Sequence, residues 1–512
     1  MERKWWSLLA VCLATFMLLL DITVVNVALP DIQQQLHTDL TGLQWVVDAY
    51  TLLLASVTLT MGTLADRYGR RRLFVIGVAV FTVASLLCGL ATSATFLHIA
   101  RGLQGVGGAA MFATSLALIA QEFQGPERGT AIAAWGATIG GAVAVGPLVG
   151  GALTDAFGWE WIFFVNVPIG IGTVILAQTQ AGESRDPDAK RLDWAGLITF
   201  SVGLFALIFG LLRGNAEGWG SGLIVGSFVA AAALLVAFVL FEWRQDHAMF
   251  DLNLFRKPAF SGVSYGTFAI GAGMFAMFLY ITIYMQSVIG MTPLEAGVRF
   301  LPMTIFAFVV PLATRNLVAK IPARVPLTIG LTLVGVGLLL MRGAKPDSEW
   351  TTLLAGFIVA GIGIGLSNPS IASTALGVVP AARSGMASGI NNTMRIAGTS
   401  TGIAALGAVF QSKISDGIDK LLPQAPPEFA DGVAASGTQA ANQAPPQLRD
   451  QAVHAAGVAF TNAFNDILLI GALILFSGAL ATLFLVGQGD FVPQGAPQGA
   501  GAPEQAQEPA AA

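Results

Sequence analysis

Residues 62–72 read Gly62-Thr63-Leu64-Ala65-Asp66-Arg67-Tyr68-Gly69-Arg70-Arg71-Arg72 and lie between two apolar runs, 42–63 and 73–92. Each run is close to the ~20 residues that a helix needs to cross a ~30 Å hydrocarbon layer. A short polar connection carrying four arginines marks the inner side of a membrane, because short loops rich in Lys and Arg stay inside. That bias does not require Asp66, an acid at the membrane edge between turn glycines. The acid points to a partner, and the loop to more than a tether between two spans.

The rest of the chain agrees with lipid as its solvent. Of 512 residues, 54% are hydrophobic and 11% charged, against roughly 25% charged in a soluble domain. So few charges cannot clothe a soluble body of this size. The net charge of -4 gives no electrostatic footprint for nucleic acid. Cys12 and Cys88 fall inside apolar runs and read as packing residues. No small-residue cleavage site follows the first run, which reads as a retained span.

Apolar runs near 5–30, 42–63, 73–92, 94–120, 130–154, 161–179, 193–213, 221–242, 259–287, 293–314, 325–342, 351–376, 384–410 and 458–486 predict fourteen transmembrane helices. With the N-terminus inside, the inner segments carry 17 of the 26 Lys and Arg and the outer segments 6, while Arg101, Arg299 and Arg395 lie within spans. That asymmetry predicts a multi-pass protein of the plasma (inner) membrane with both termini cytoplasmic. Residues 412–457 read as an external loop of Ala, Gln and Pro. Residues 488–512 read as a disordered cytoplasmic tail.

A weak repeat runs through the chain. Pro126-x-Arg128-Gly129 precedes the fifth span and Pro380-x-x-Arg383-x-Gly385 the thirteenth, and Gly105-x-Gly107 matches Gly361-x-Gly363 at an offset of 256 residues. Two six-helix halves with two inserted helices would produce this, as in transporters that bind substrate between parallel repeats. The expected divisions are 1–180 for the first bundle, 181–255 for the inserted pair and its linkers, and 256–487 for the second bundle.

The motifs carry a resemblance. Gly62 to Arg72 resembles the cytoplasmic-loop signature of the major facilitator superfamily. In that family the loop is thought to latch the two halves, which implies a latch role for Gly62, Asp66, Arg67, Gly69, Arg70 and Arg71. Arg101-Gly102-Leu103-Gln104-Gly105 resembles a fourth-helix signature whose arginine is implicated in proton transfer. Gly146-Pro147-Leu148-Val149-Gly150-Gly151 resembles the antiporter signature of the fifth helix, although Ala142 stands where a glycine is usual. The string Leu20-Asp21-Ile22-Thr23-Val24-Val25-Asn26-Val27-Ala28-Leu29-Pro30 is similar to the first helix of the fourteen-helix drug:proton antiporters. Trp159 to Pro168 and Pro293 to Gly297 look like the same group. The resemblance covers residues 5 to about 486 and implies an all-α major facilitator fold of two six-helix bundles plus two inserted helices. In the second half the loop near Lys320 and Arg324 has lost the acid and the glycines.

Depth arithmetic adds a site. At ~1.5 Å per residue, Asp21 lies about 12 Å below the outer end of its span, and Asp48 and Arg101 about 9 Å below theirs. Ionisable groups at that depth are costly and face protein or water. The three are expected to form one polar, proton-coupling cluster. Were Asp21 and Asp48 both to face the cavity, their carboxylates would favour cationic substrates.

These observations predict a proton-coupled exporter of small amphiphilic compounds, with protons, a small organic substrate and the bilayer as partners. A periplasmic adaptor would join them if the host has an outer membrane. Export of an endogenous metabolite or lipid is the alternative, followed by an uncoupled channel or a sensor. No enzyme is expected: His37, His98, His247 and His454 are scattered, no metal-ligand spacing or phosphate loop occurs, and no cofactor is implied.

Overall fold

The computed structural model describes residues 2–492 apart from 39, 186–192, 245–251, 319, 381–382 and 444–446. Every extended element among the described residues is helical. In chain order the long helices are α1 (Arg3–Leu36), α2 (Leu40–Tyr68), α3 (Arg70–Gly89), α4 (Ala94–Glu122), α5 (Gly125–Phe157), α6 (Trp161–Gln180), α7 (Trp194–Glu217) and α8 (Gly222–Arg244). Then come α9 (Pro258–Ser287), α10 (Leu301–Val318), α11 (Arg324–Met341), α12 (Thr351–Gly377), α13 (Ser384–Leu421) and α14 (Arg449–Leu485).

Among the described residues, twelve helices are long and apolar enough to cross a membrane, against fourteen predicted spans. The two others fall on α5 and α13, helices of 33 and 38 residues. Helix α5 contributes an apolar stretch at Leu148–Phe157. Helix α13 is polar because protein, not lipid, covers it. Ser384, Ser388, Asn391, Asn392, Thr393 and Arg395 are all buried, and these polar residues lower the helix's hydropathy although the run 384–410 reads as a span. Elsewhere apolar side chains face outward, with Phe484 at 79% and Ile99 at 70% exposure. An aqueous protein would hide them; a bilayer solvates them.

One span, one loop and the start of the tail differ from the sequence reading. The run 293–314 is two helices, because Thr292 and Glu295 form a reciprocal capping box that starts Pro293–Arg299, and the chain turns at Phe300 before α10. Hydrogen bonds from the Thr292 backbone and hydroxyl hold the Glu295 carboxyl below the usual carboxylate range. Arg299 ends the short helix with its guanidinium 4.9 Å from the Trp350 ring centroid. The expected external loop 412–457 is largely helical. Helix α13 runs on to Leu421, a short helix Pro427–Ser436 follows, and α14 begins at Arg449. Val433 and Ala441 are buried there and Thr438 donates to the Ser287 carbonyl at 2.7 Å, so this segment caps the end of α9. The start of the expected disordered tail 488–512 is ordered instead. Gln488–Asp490 forms a short 3-10 helix, Asp490 accepts from the Ala259 N–H at 2.8 Å, and the Val492 N–H donates to the Gly377 carbonyl. Residues from 493 lie outside the described residues.

Helices α1–α6 and α9–α14 pack as two bundles whose glycines occupy matching places. Gly105 faces the Tyr50 carbonyl of α2, and Gly107 faces Phe81 of α3. Gly361 faces Met303 of α10, and Gly363 faces Gly330 and Val334 of α11. The spaced glycines of the sequence repeat thus admit the second and third helices of each half to the fourth. The inserted pair is asymmetric. Helix α7 packs against α2 and α13, with Thr60 and Ser201 hydroxyls 2.8 Å apart, whereas α8 packs chiefly on α7. Helix α7 is therefore in contact with both bundles, which its apolar sequence did not disclose.

Candidate functional site

Asp21 of α1 and Arg101 of α4 meet inside the first bundle. Arg101 Nη1 donates to Asp21 Oδ2 at 2.5 Å and to Gln104 Oε1 at 2.6 Å, and Nε donates to the Val46 carbonyl of α2 at 2.9 Å. The other carboxylate oxygen, Oδ1, accepts from Gln104 Nε2 at 2.8 Å and Asn166 Nδ2 at 3.3 Å. Ser85 Oγ of α3 accepts from the same two amides. The guanidinium also lies 4.3 Å from the Tyr50 ring centroid, close enough for a cation–π contact. All of these side chains are sealed, with Asp21 and Arg101 each 1% exposed. A buried pair survives desolvation only when its remaining hydrogen-bonding capacity is met, and here four further side chains from four helices, together with the Val46 carbonyl, surround it.

Asp48 does not join this cluster. On α2, the Val46 carbonyl and the Tyr50 ring face Arg101. At ~100° per residue, position 48 lies about 200° from either. Asp48 instead points toward α7, where Arg213 Nη1 is 3.9 Å from its carboxylate. Arg213 donates as well to Gln44 at 2.9 Å and to Glu217 at 2.6 Å. Equal depth placed the three ionisable groups at one level, but helical phase separated them. Gln104, Ser85 and Asn166 were not assigned from sequence. Gln104 stands one turn from Arg101 and shares its face, which was the available signal for it.

The loop 62–72 closes on the other bundle. Asp66 Oδ1 accepts from Arg70 Nε at 2.9 Å, Arg70 Nη2 at 2.8 Å and the Gly385 backbone N–H at 3.0 Å, and Oδ2 accepts from the Met386 N–H at 2.8 Å. Gly385 and Met386 open α13, so the carboxylate caps a helix N-terminus of the opposite half, where backbone donors and dipole both favour an anion. Gly62 permits the approach: a Cβ there would lie 2.5 Å from the Gly385 carbonyl. Gly69 has φ of +112°, a conformation open to glycine, and a side chain would strike the Glu183 carboxyl. Glu183 accepts from the backbone N–H groups of Arg71 and Arg72, both at 3.1 Å, and Arg71 Nη1 donates to the Ala181 carbonyl. Arg67 is the loose member; its guanidinium stacks near Tyr68, and its buried Nη1 finds no hydrogen-bond partner among the described residues.

On α5, Gly146 lies so close to Thr23 of α1 that a Cβ would overlap the Thr23 hydroxyl, and a Cβ on Gly150 would lie 2.9 Å from the Val24 carbonyl. Gly151 is buried, and the Pro147 side chain lies outside the described residues. One face of α5 therefore packs on α1 within a turn of Asp21. Its earlier glycines face the other bundle, Gly136 against Pro369 of α12 and Gly140 against Ala307 of α10. Small residues at such crossings let membrane helices approach closely.

Comparison with known proteins places this arrangement. The family model described as Major Facilitator Superfamily matches residues 11–403. The multidrug resistance protein Stp of Mycobacterium tuberculosis (strain CDC 1551 / Oshkosh) is 38% identical over 423 residues, covering 82% of this chain and 79% of that one. The tetracenomycin C resistance and export protein of Streptomyces glaucescens is 33% identical over 81% of this chain and 77% of its own. The multidrug efflux pump LfrA of Mycolicibacterium smegmatis is 31% identical over 93% and 95%. Among solved structures, the human organic anion transporter MFSD10 (TETRAN) superposes with a TM-score of 0.59 at 14% identity, covering 93% of this chain and all of that one, a likeness of fold.

Proposed function

The chain belongs to the major facilitator superfamily, and on that premise we propose that it is a proton-coupled secondary exporter of small amphiphilic organic compounds. The observation that carries this reading is the sealed Asp21–Arg101 pair with its ring of amides. It is an ionisable acid deep in one bundle, one helix away from the surface on which the two bundles meet. The names of the relatives, which speak of multidrug resistance, multidrug efflux and tetracenomycin C resistance and export, agree with it.

In this reading the inner end of the molecule is shut. Asp66 ties α2 to the start of α13, and the positive charge of residues 67–72 puts that end on the cytoplasmic side, with both termini there. Asp21 cannot exchange a proton with water while it is 1% exposed, so protonation belongs to another conformation. A neutral Asp21 would no longer compensate Arg101, leaving it the Val46 carbonyl, Gln104 Oε1 and the Tyr50 ring. An uncompensated buried charge is costly. Loading the proton thus weakens the tie between α1 and α4, and releasing it restores the tie. A ligand or proton can shift conformation only through such a difference between states.

Reconstituted vesicles test the proposal. An imposed pH gradient should drive accumulation of an amphiphilic dye by the wild-type protein, nigericin should collapse it, and Asp21→Asn should insert normally but show no response to the gradient. Dye flux that ignores the gradient in the wild type would replace the exporter reading with an uncoupled pathway.

A further inference from the structure

The second bundle holds a charge with no counter-ion among the described residues. Arg395 lies on α13 about 17 Å from Ser384, near the middle of a ~30 Å hydrocarbon layer. It is 6% exposed. Nη1 donates to Asn368 Oδ1 of α12 at 3.3 Å, while Nε and Nη2 find no hydrogen-bond partner among the described residues. The surroundings repeat the excess of donors. Asn368 Nδ2 and, one turn along α13, Asn391 Nδ2 are also buried without an acceptor, against the unmet Asn392 Oδ1. Arg101, equally buried in the first bundle, is neutralised by Asp21. Arg395 is not matched in this way, and an intramembrane ionisable residue without a partner marks a functional site.

The edge of the guanidinium that stays free identifies the missing partner. Nε and Nη2 form the side-on fork, two parallel N–H donors at the spacing of a carboxylate. Arg70 uses the same two atoms on Asp66. Beside the fork stands Phe275, its ring centroid 5.7 Å from Arg395 Cζ, on the π-helical turn Gly271–Phe275 of α9. Such turns recur at functional sites. Gly271 packs so tightly on the Arg395 carbonyl that a Cβ would overlap it, which holds the π-helical turn against the backbone that carries Arg395. The same face of α13 reaches the other half, since Asn392 Nδ2 donates to the Phe112 carbonyl of α4 at 3.1 Å.

We propose that Arg395, aided by Asn368, is the docking point for the oxyanion of a transported aromatic amphiphile, whose apolar body lies against Phe275. This deepens the exporter reading and rests on it. It reverses the cation preference that exposed carboxylates would give, because Asp21 is sealed and engaged and Asp48 faces Arg213.

The test uses the full chain in lipid nanodiscs and two probes that differ only in charge, pyrenebutyrate and its methyl ester. Binding is read by energy transfer from tryptophan, with empty nanodiscs subtracted. Wild-type protein should bind the carboxylate at least tenfold more tightly than the ester. Arg395→Gln should erase that preference by weakening the carboxylate alone, and Arg395→Lys, which keeps the charge but loses the fork, should retain part of it. Asn368→Asp keeps the arginine and supplies a carboxylate beside Nη1. It should erase the preference with a melting temperature equal to or above the wild type, and so carries the test if Arg395→Gln fails to fold. Equal affinity for the two probes in the wild type, binding of neither, or a preference that survives Asn368→Asp overturns the proposal. A preference without proton-driven export in vesicles would leave the site standing and remove the exporter reading instead.

Discussion

Replacing Asp66 by asparagine keeps shape and removes charge, and the geometry sets what that costs. Oδ1 takes three donors and Oδ2 takes one, the Met386 N–H. An asparagine can keep its oxygen on the crowded side only by turning its NH2 against the Met386 N–H, donor to donor. The bonds from Arg70 lie within one half and persist when the halves part, so they do not bear on the equilibrium between states. What counts is the bonding between halves. A buried N–H without an acceptor costs about 1–3 kcal/mol, a charge-assisted bond to Gly385 falls to roughly half its strength, and the attraction of a carboxylate to the α13 N-terminus adds about 0.3–1 kcal/mol. In sum the closed state should lose roughly 2–5 kcal/mol, a change of at least ~30-fold in its ratio to the open state. Spin labels at Arg72→Cys and Leu317→Cys, both exposed and on opposite halves, should report the shift as a longer distance population in double electron–electron resonance. Turnover should fall while substrate affinity stays within a few-fold. An unchanged distance distribution, or affinity falling further than turnover, would refute the latch.

Asp21→Asn is expected to insert and bind substrate but to lose proton-driven export, and a wild-type rate under an imposed pH gradient would remove Asp21 from coupling. Asp48→Asn should change the same rate less than threefold, because Asp48 lies on the far side of α2 from Arg101; a loss as deep as that of Asp21→Asn would return it to the coupling site. Gly150→Ala should lower thermal stability by about 1–3 kcal/mol through overpacking against Val24, with Gly172→Ala, where a Cβ meets open space, as the control within about 0.5 kcal/mol. Equal melting temperatures for the two variants would show that α5 does not need its close approach to α1.

Most spans, the special character of the loop 62–72 and the Asp21–Arg101 pair were legible because each writes itself in a short stretch of chain: a run of apolar residues, a spaced set of glycines and arginines, an acid or arginine where lipid forbids one. What stayed hidden depends on helical phase or on partners far along the chain. Asp48 shares the depth of Asp21 but not its bearing. Helix α13 reads as the span 384–410, but its extension to Leu421 and the distant partners that bury Asn391, Asn392 and Arg395 were not visible. Arg395 is visible in the sequence as an arginine within a span, yet only the fold shows that no acid pairs with it among the described residues. The segment 412–457 looks like a linker by composition and folds because its two flanking helices overrun the membrane and give it a surface to cover.

Helix α5 brings the separate sites into one argument. Its Gly146 and Gly150 pack on Thr23 and Val24, within one turn of Asp21, and its Gly136 packs on Pro369, the neighbour of Asn368 in α12. Each of these contacts is too close for a Cβ to enter without displacement, except at Gly136, where the fit is merely tight. Close-packed interfaces respond to a shift by changing arrangement rather than by deforming smoothly. A displacement of α1 on protonation of Asp21 therefore cannot be absorbed at the α1–α5 contact and must carry α5 with it. In the other half α5 packs on α10 and also on α12, the helix that holds Asn368 against Arg395. The exporter reading needs the proton and the substrate to be felt at a distance, and this one glycine-lined helix touches the surroundings of both. Physical continuity is not yet energetic coupling. The two differ in a double-mutant cycle, since Asp21→Asn and Asn368→Asp should give additive effects on carboxylate binding if α5 only fills space, and non-additive ones if it transmits.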